Sequence, residues 1–274
     1  MRVLVTSTQD MASMTIKQVL NEEFDFVETA DSFEGNPVYA RGESAILITT
    51  TRDMIDCEHL EDHFNAEVFI FCSRHRAASG KPALLVHSTG NLGLDAEFGG
   101  QPQQLSVSAG SLVARALRTL QDEKERQDLV DFDVTMEVTH HGPTSMKTPL
   151  MFIELGSEEE HWKNEKGARA VATAAMACID ESFSKTVSIG FGGNHYASKF
   201  NRLVLEKGVC MGHMAPKYAI EGLTPNVVRQ MITSSKELVE RAIIDWKGTN
   251  AEQKAHLFPI LEELDIETVR AKHL

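Results

Sequence analysis

The sequence predicts an α/β protein, a three-layer α/β/α sandwich with a mixed, largely parallel central sheet. Two observations predict it. Short apolar runs alternate with segments of helical periodicity along the chain, which is the pattern of strands joined by crossover helices. No Pro/Gly/Ser-rich stretch, repeat or low-complexity segment interrupts the 274 residues, so one domain over 1–274 is expected.

Taken in order, Val3–Thr6 reads as a strand and Met11–Leu20 as a helix. Ala45–Thr49 and Val68–Cys72 read as strands, as does Ala83–His87 just after Pro82. Ser111–Leu120 carries apolar residues at helical spacing. Phe132–Thr139 and Leu150–Leu155 are β-branched and apolar, hence strands. Ser157, followed by Glu158, Glu159 and Glu160, reads as the N-cap of an Ala-rich helix running to about Ser182. Val187–Phe191 is a further strand, and Asn226–Trp246 reads as one long helix. The last twenty residues read as helical or irregular.

Composition excludes several classes. Apolar residues are 42% and charged residues 24%, ordinary for a globular chain and wrong for a disordered or collagen-like one. The longest apolar stretch, Ala170–Ile179, is too short to span a bilayer, and the start lacks a cleavable signal pattern. A cytoplasmic protein is expected. Cys57, Cys72, Cys178 and Cys210 show no CxxC spacing, which fits a reducing compartment and no structural thiolate zinc site. There is no Walker A sequence, no Gly-rich turn after the first strand and no Gly-x-Ser-x-Gly elbow.

Four segments at predicted strand ends, where open α/β sheets bind ligands, hold most of the unusual polar residues. In Ser73-Arg74-His75-Arg76, two guanidinium groups flanking a histidine suit a phosphate or carboxylate, although a solvated basic turn looks the same. His87, ending an apolar strand before Ser88-Thr89-Gly90-Asn91, is on general grounds a structural histidine. In Glu137-Val138-Thr139-His140-His141-Gly142-Pro143-Thr144, strand alternation puts Glu137, Thr139 and His141 on one face, with Val138 and His140 on the other. A bend at Gly142 would bring both histidines into one pocket. The following strand carries an isolated Glu154, costly to bury unless paired or metal-bound. Lastly, Gly192-Gly193-Asn194-His195 and Gly212-His213 combine backbone able to approach a ligand with imidazoles suited to zinc or proton transfer. No fixed spacing selects ligands, so these residues alone imply a His-rich hydrolytic or phosphate-handling pocket.

The same motifs resemble those of the archaeal and plant type of D-aminoacyl-tRNA deacylase. The resemblance rests on Ser73–Arg76 with Ser79-Gly80, Val86-His87 with Thr89-Gly90-Asn91, and Thr139–Thr144 followed by Phe152–Ser157. It continues through Gly192–Ala197 and Gly212-His213 with Pro216-Lys217-Tyr218, in matching order. Ala77, Ala78 and Asn194 depart from the pattern. The resemblance implies a phosphorylase-like or peptidyl-tRNA hydrolase-like fold, and hydrolysis of the ester joining a D-amino acid to the terminal ribose of tRNA. It also implies a zinc cofactor and, in relatives, clearance of aldehyde-modified aminoacyl-tRNA. The expected catalytic residues are His140, His141, Glu154 and Thr144. The expected metal ligands are His140, His195 and His213. Arg74, His75, Arg76, Gly192, Gly193, Lys199 and Lys217 are expected to bind substrate, with the chain acting as a monomer. The competing readings are a phosphorylase-like nucleoside or phosphate-ester enzyme and a noncatalytic tRNA-binding protein.

A net charge of −13 opposes an RNA partner only if it is evenly spread. Residues 68–94 carry +3 and residues 185–217 carry +4, leaving −20 on the remaining 214. A local basic face engaging the acceptor end is therefore expected. Its consequence is a shallow dependence of tRNA affinity on salt; a steep one, reporting many phosphate contacts, would contradict it.

Overall fold

The structure, a computed structural model, describes residues 1–274. It opens with β1 (Arg2–Ser7), α1 (Met11–Glu23), β2 (Val27–Phe33), β3 (Asn36–Arg41), β4 (Ala45–Thr50), α2 (Leu60–His63), β5 (Phe69–Arg76) and β6 (Ala83–His87). Next come α3 (Gly110–Arg126), β7 (Asp133–Met136), β8 (Leu150–Ser157), α4 (Glu159–Trp162) and α5 (Glu165–Asp180). The chain ends with β9 (Thr186–Phe191), α6 (Ser198–Lys207), β10 (Met211–Ala215), α7 (Pro225–Thr233), β11 (Leu238–Ile244), α8 (Ala251–Glu263) and β12 (Glu267–Arg270).

Eight strands form one sheet in the order β2-β3-β4-β1-β5-β8-β6-β7, and four form another in the order β10-β9-β11-β12. β4, β1, β5 and β8 run parallel, and the β2–β3 and β3–β4 pairs are antiparallel. The four-stranded sheet is parallel throughout. The fold class is thus the expected α/β one with a mixed, largely parallel sheet. The chain divides into two compact units: Met1–Val86, Arg115–Val134 and Leu150–Glu181 in the first, and His87–Ala114, Thr135–Pro149 and Ser182–Leu274 in the second.

In the first unit β1 and β8 are buried along their whole length, so they read as near-continuous apolar runs rather than alternating ones. Phe71 and Phe152, in register on β5 and β8, stack at 4.6 Å. α1 is started by Asp10, whose carboxylate accepts from Ser13 N–H, and its buried face packs against the Ala-rich α5. In the second unit Ile189, Phe191 and Ile244 of the sheet pack with Val228, Met231 and Leu257 of the helices.

Several expectations are corrected. Ser157 ends β8 and its hydroxyl donates to Lys81 O; the N-cap of α5 is Asn164, which accepts from Gly167 N–H. The strand expected over Phe132–Thr139 stops at Met136. The expected long helix over Asn226–Trp246 is α7 followed by β11. Its apolar residues fit either period, and the break falls at Ser234–Glu237, where Glu237 has other partners. The buried Glu237 carboxylate accepts from the N–H groups of Gly110 and Ser111 and from the Ser111 hydroxyl, capping α3. The tail forms α8, with an Asn250–Gln253 capping box, and then β12. The Glu237→Ala variant should lower stability by about 2 kcal/mol, read from the urea midpoint, because it strips the Gly110, Ser111 and Ser235 donors of their acceptor.

Candidate active site

In the second unit, the segment after β7 leaves the sheet and is stitched to its neighbours through the backbone. Val138 N–H donates to His195 O, Thr139 N–H to Met214 O, and Gly90 N–H to His140 O and His141 O. Gly90 has φ +152, and a Cβ there would sit 2.5 Å from a Leu105 methyl, so only glycine allows this approach. Strand alternation therefore no longer applies beyond Met136: Glu137 and His140, expected on opposite faces, converge.

The result is an imidazole cluster. The His140 ring lies 4.3 Å from that of His87, 4.5 Å from His141 and 4.8 Å from His195, centre to centre. His140, His141 and His87 each donate Nδ1–H to a backbone carbonyl: Val138 O at 2.8 Å, Gly142 O at 2.6 Å and Ser88 O at 3.2 Å. In a neutral ring so tethered, Nε2 carries the lone pair. Desolvation, then the neighbouring His87 and His141, hold His140 well below the usual histidine range, so it is neutral at pH 7.

Glu137, with no side-chain exposure, places Oε1 2.9 Å from His195 Nε2 and Oε2 3.8 Å from His140 Nε2. The other nitrogen of His195, Nδ1, is 3.0 Å from the Tyr218 hydroxyl. With Glu137 ionised, Nε2 of His195 is the donor and Nδ1 accepts from Tyr218. Two donor sets have ligand atoms mutually within 4.8 Å in this unit: His87–His140–His141 and Glu137–His140–His195.

His213 joins neither set. It is fully buried, with Nε2–H shared between Ser106 O and Ser234 O and Nδ1 accepting from the Thr139 hydroxyl. Burial pushes its pKa down to about 4. Thr144 also stands aside: its hydroxyl accepts from Gln101 N–H and faces Gln104 Oε1, pinning the 91–104 loop. Gly192 and Gly193 have φ of +103 and +77, but their N–H groups are committed to Ala215 O and Gly248 O. They shape the turn before His195 and offer no oxyanion donors. Lys199 lies in the first turn of α6, and exposed Lys217 follows β10.

The first unit holds a polar group at the carboxyl ends of β1, β5 and β8. Ser73 and Glu154 are opposite each other in register, and His75 lies two residues on, on the same face. Ser73 donates its hydroxyl to Glu154 Oε1 at 2.8 Å, and His75 Nδ1 is 3.3 Å from Glu154 Oε2. Gly156 makes room for the His75 ring, since a Cβ there would meet the His75 Cβ at 2.7 Å. The Trp162 indole donates to His75 O, and Arg74 lies over that indole with one N–H on Gln9 O. Arg76 is exposed at the end of β5. The second carboxylate oxygen of Asp10 accepts from Arg74 N–H.

Sequence reasoning set His87 aside as structural and missed Glu137 and Tyr218 as site residues. The signal for Glu137 was present, a lone carboxylate between Met136 and Val138, and it is the same signal that singled out Glu154.

Fold and cluster together define an α/β protein with a half-buried imidazole cluster around the buried Glu137 carboxylate. The profile of D-aminoacyl-tRNA deacylases matches residues 62–269. The D-aminoacyl-tRNA deacylase of Thermococcus onnurineus is 36% identical over 279 residues, covering 98% of this chain and all of that protein. That of Methanocaldococcus jannaschii is 34% identical, covering 98% of each. A crystal structure of a conserved protein of unknown function superposes with a TM-score of 0.90 at 31% identity, over all of this chain and 96% of the other. The chain belongs to the D-aminoacyl-tRNA deacylase family.

Burial raises Asp10 from 3.8 to about 6, against the lowering effect of its backbone donors and Arg74. A raised folded-state pKa means that the protonated form suits the fold. Its contribution to stability is complete below pH 3.8 and is lost as pH rises through about 6, an effect of about 3 kcal/mol. Asp10→Asn abolishes this titration, so relative to wild type the variant should gain stability on going from pH 4.5 to 7.5. A wild-type-minus-variant Tm difference constant across that range would contradict it.

Proposed function

We propose that the protein hydrolyses the ester bond of D-aminoacyl-tRNA, releasing the free D-amino acid and tRNA. The observation that carries this reading is a fully buried carboxylate, Glu137, paired with His195 beside an imidazole cluster in a member of this family. Ester hydrolysis needs an activated water, stabilisation of the developing oxyanion and a proton for the leaving ribose oxygen. Glu137, His195 and Tyr218 form the proton-handling relay: His195 Nδ1 takes the Tyr218 hydroxyl proton as that oxygen takes one from water, the carboxylate stabilises the imidazolium, and the proton returns by the same route to the ribose oxygen.

His87, His140 and His141 are the residues that would hold zinc. Three imidazoles, each tethered through Nδ1 to a carbonyl, are the donor chemistry of a catalytic site with three protein ligands. Held there, zinc would supply polarisation of the ester carbonyl and a lower pKa for water, about 7. Glu154 acts through His75 by fixing its ring. Lys199 and Lys217 supply charge for the phosphates of the acceptor end, and Arg74 and Arg76 are the cations of the first unit's polar group. We read residues 1–274 as one functional domain, because each compact unit is assembled from three stretches of chain and neither can be excised as one piece. Four free cysteines suit the reducing cytoplasm, and no helix is long and apolar enough to cross a membrane. One copy of the chain supplies every residue used here.

Matched D- and L-aminoacyl-tRNA give the test. Ester loss should be at least about 100-fold faster for the D form, and Glu137→Gln should cut kcat about 100-fold or more while leaving affinity for uncharged tRNA unchanged. Equal rates on both enantiomers would overturn the chiral reading. Full activity in protein shown by metal analysis to be zinc-free would remove zinc from it.

A further inference from the structure

The second unit's sheet has a directional edge that the His cluster does not use up. Its four strands are parallel, so their carboxyl ends lie on one side. Register brings those ends level: Ala215 of β10 is beside Phe191 of β9, Phe191 beside Ile244 of β11, and Ile244 beside Arg270 of β12. From this edge rise Lys217 and Tyr218 after β10, His195 after β9, Trp246 and Lys247 after β11, and Lys272 after β12. Lys254 joins them from the first turns of α8. Tyr218 is 65% exposed, and Lys217, Lys247 and Lys272 are exposed.

Two of these cations are held by an aromatic ring. The Arg270 guanidinium lies 3.6 Å from the centre of the Trp246 indole, and Lys254 Nζ lies 4.4 Å from it. Neither makes an ion pair with a carboxylate. A cation–π contact fixes such a group in place without neutralising its charge. Acidic side chains on the same edge are mostly engaged locally: Asp245 accepts from Gly248 N–H, and Glu221 accepts from Gln253. Glu252 stays exposed there. By contrast Glu262, Glu263, Asp265 and Glu267 lie at the end of α8 and the start of β12, on the amino edge. These acids share the amino edge with Lys185, Lys207 and Lys236, whereas the cations fixed on Trp246 lie at the carboxyl edge.

We propose that this carboxyl edge is the track for the single-stranded RNA end of the substrate, running from His195 and Tyr218 to the Trp246–Arg270–Lys254 stack. It rests on the tRNA substrate of the preceding section. Four parallel strands span three intervals of about 4.8 Å, roughly 14 Å, enough for several successive phosphates. Ligands of parallel sheets bind outside the carboxyl ends of the strands.

The test is fluorescence anisotropy of labelled, uncharged tRNA with the full-length protein across a salt series. Lys254→Glu with Arg270→Glu should weaken binding at low salt at least tenfold and make the salt slope shallower by about 1.4. The matched pair Lys185→Glu with Lys207→Glu makes the same charge change at the amino edge, before β9 and at the end of α6, and should weaken binding less than about threefold. Lys254→Gln with Arg270→Gln serves if the Glu pair does not fold, with half the change in charge and at least threefold weakening. Equal weakening by the carboxyl-edge and amino-edge pairs overturns the track. Wild-type protein that binds tRNA through this edge but leaves D-aminoacyl esters intact would refute the activity and keep the track. Wild-type catalytic efficiency in the double variant would refute the track alone.

Discussion

A carboxylate removed from water must be compensated, and the second unit is organised around how Glu137 meets that demand. Its Oε1 accepts from His195 Nε2, and the Tyr218 hydroxyl holds the far side of His195. The backbone follows the same demand. Val138 and Thr139 donate to His195 O and Met214 O, so the turn carrying Glu137 is fixed to the ends of β9 and β10. His213, locked between two carbonyls and the Thr139 hydroxyl, is the peg that keeps that turn in place. Removing charge at Glu137 would leave His195 without the carboxylate that orients its ring.

Most of the large sheet was legible because its strands are buried on both faces and therefore apolar along their length, as Val3-Leu4-Val5 and Phe69-Ile70-Phe71 show. The edge hairpin β2–β3 was not legible. Val27 and Glu28 are exposed and Phe33 is its one buried residue on β2, so it carries no apolar run. β10, Met211-Gly212-His213-Met214-Ala215, contains glycine and histidine where a strand would advertise β-branched residues. β11 was absorbed into a helix because the turn separating it from α7 is made by Ser234–Glu237, which carries neither glycine nor proline.

The candidate site was legible where isolated polarity stood out from apolar surroundings, as at Glu154 and the His140–His141 pair. It was not legible where a role depends on which partner a group meets. His213 and Gly192 have the residue types of a site, yet tertiary hydrogen bonds occupy their nitrogens. Charge was misread for a related reason. Lys185 and Lys207 contribute to a basic stretch in sequence, but the strand and helix between them carry both to the amino edge, away from Lys217. Segment charge becomes surface charge only after strand direction is known.

The threefold interleaving of the two units also sets an order on synthesis. The first unit has all its residues once the chain has grown to Glu181, whereas the second still lacks β9 to β12. His87, His140 and His141 are translated well before His195, and Glu137 has no imidazole from the β9 turn to pair with until then. A nascent chain therefore carries a complete scaffold before it has a working centre. The imidazole–carboxylate cluster has all its side chains only after β9 and the turn beyond it have been made.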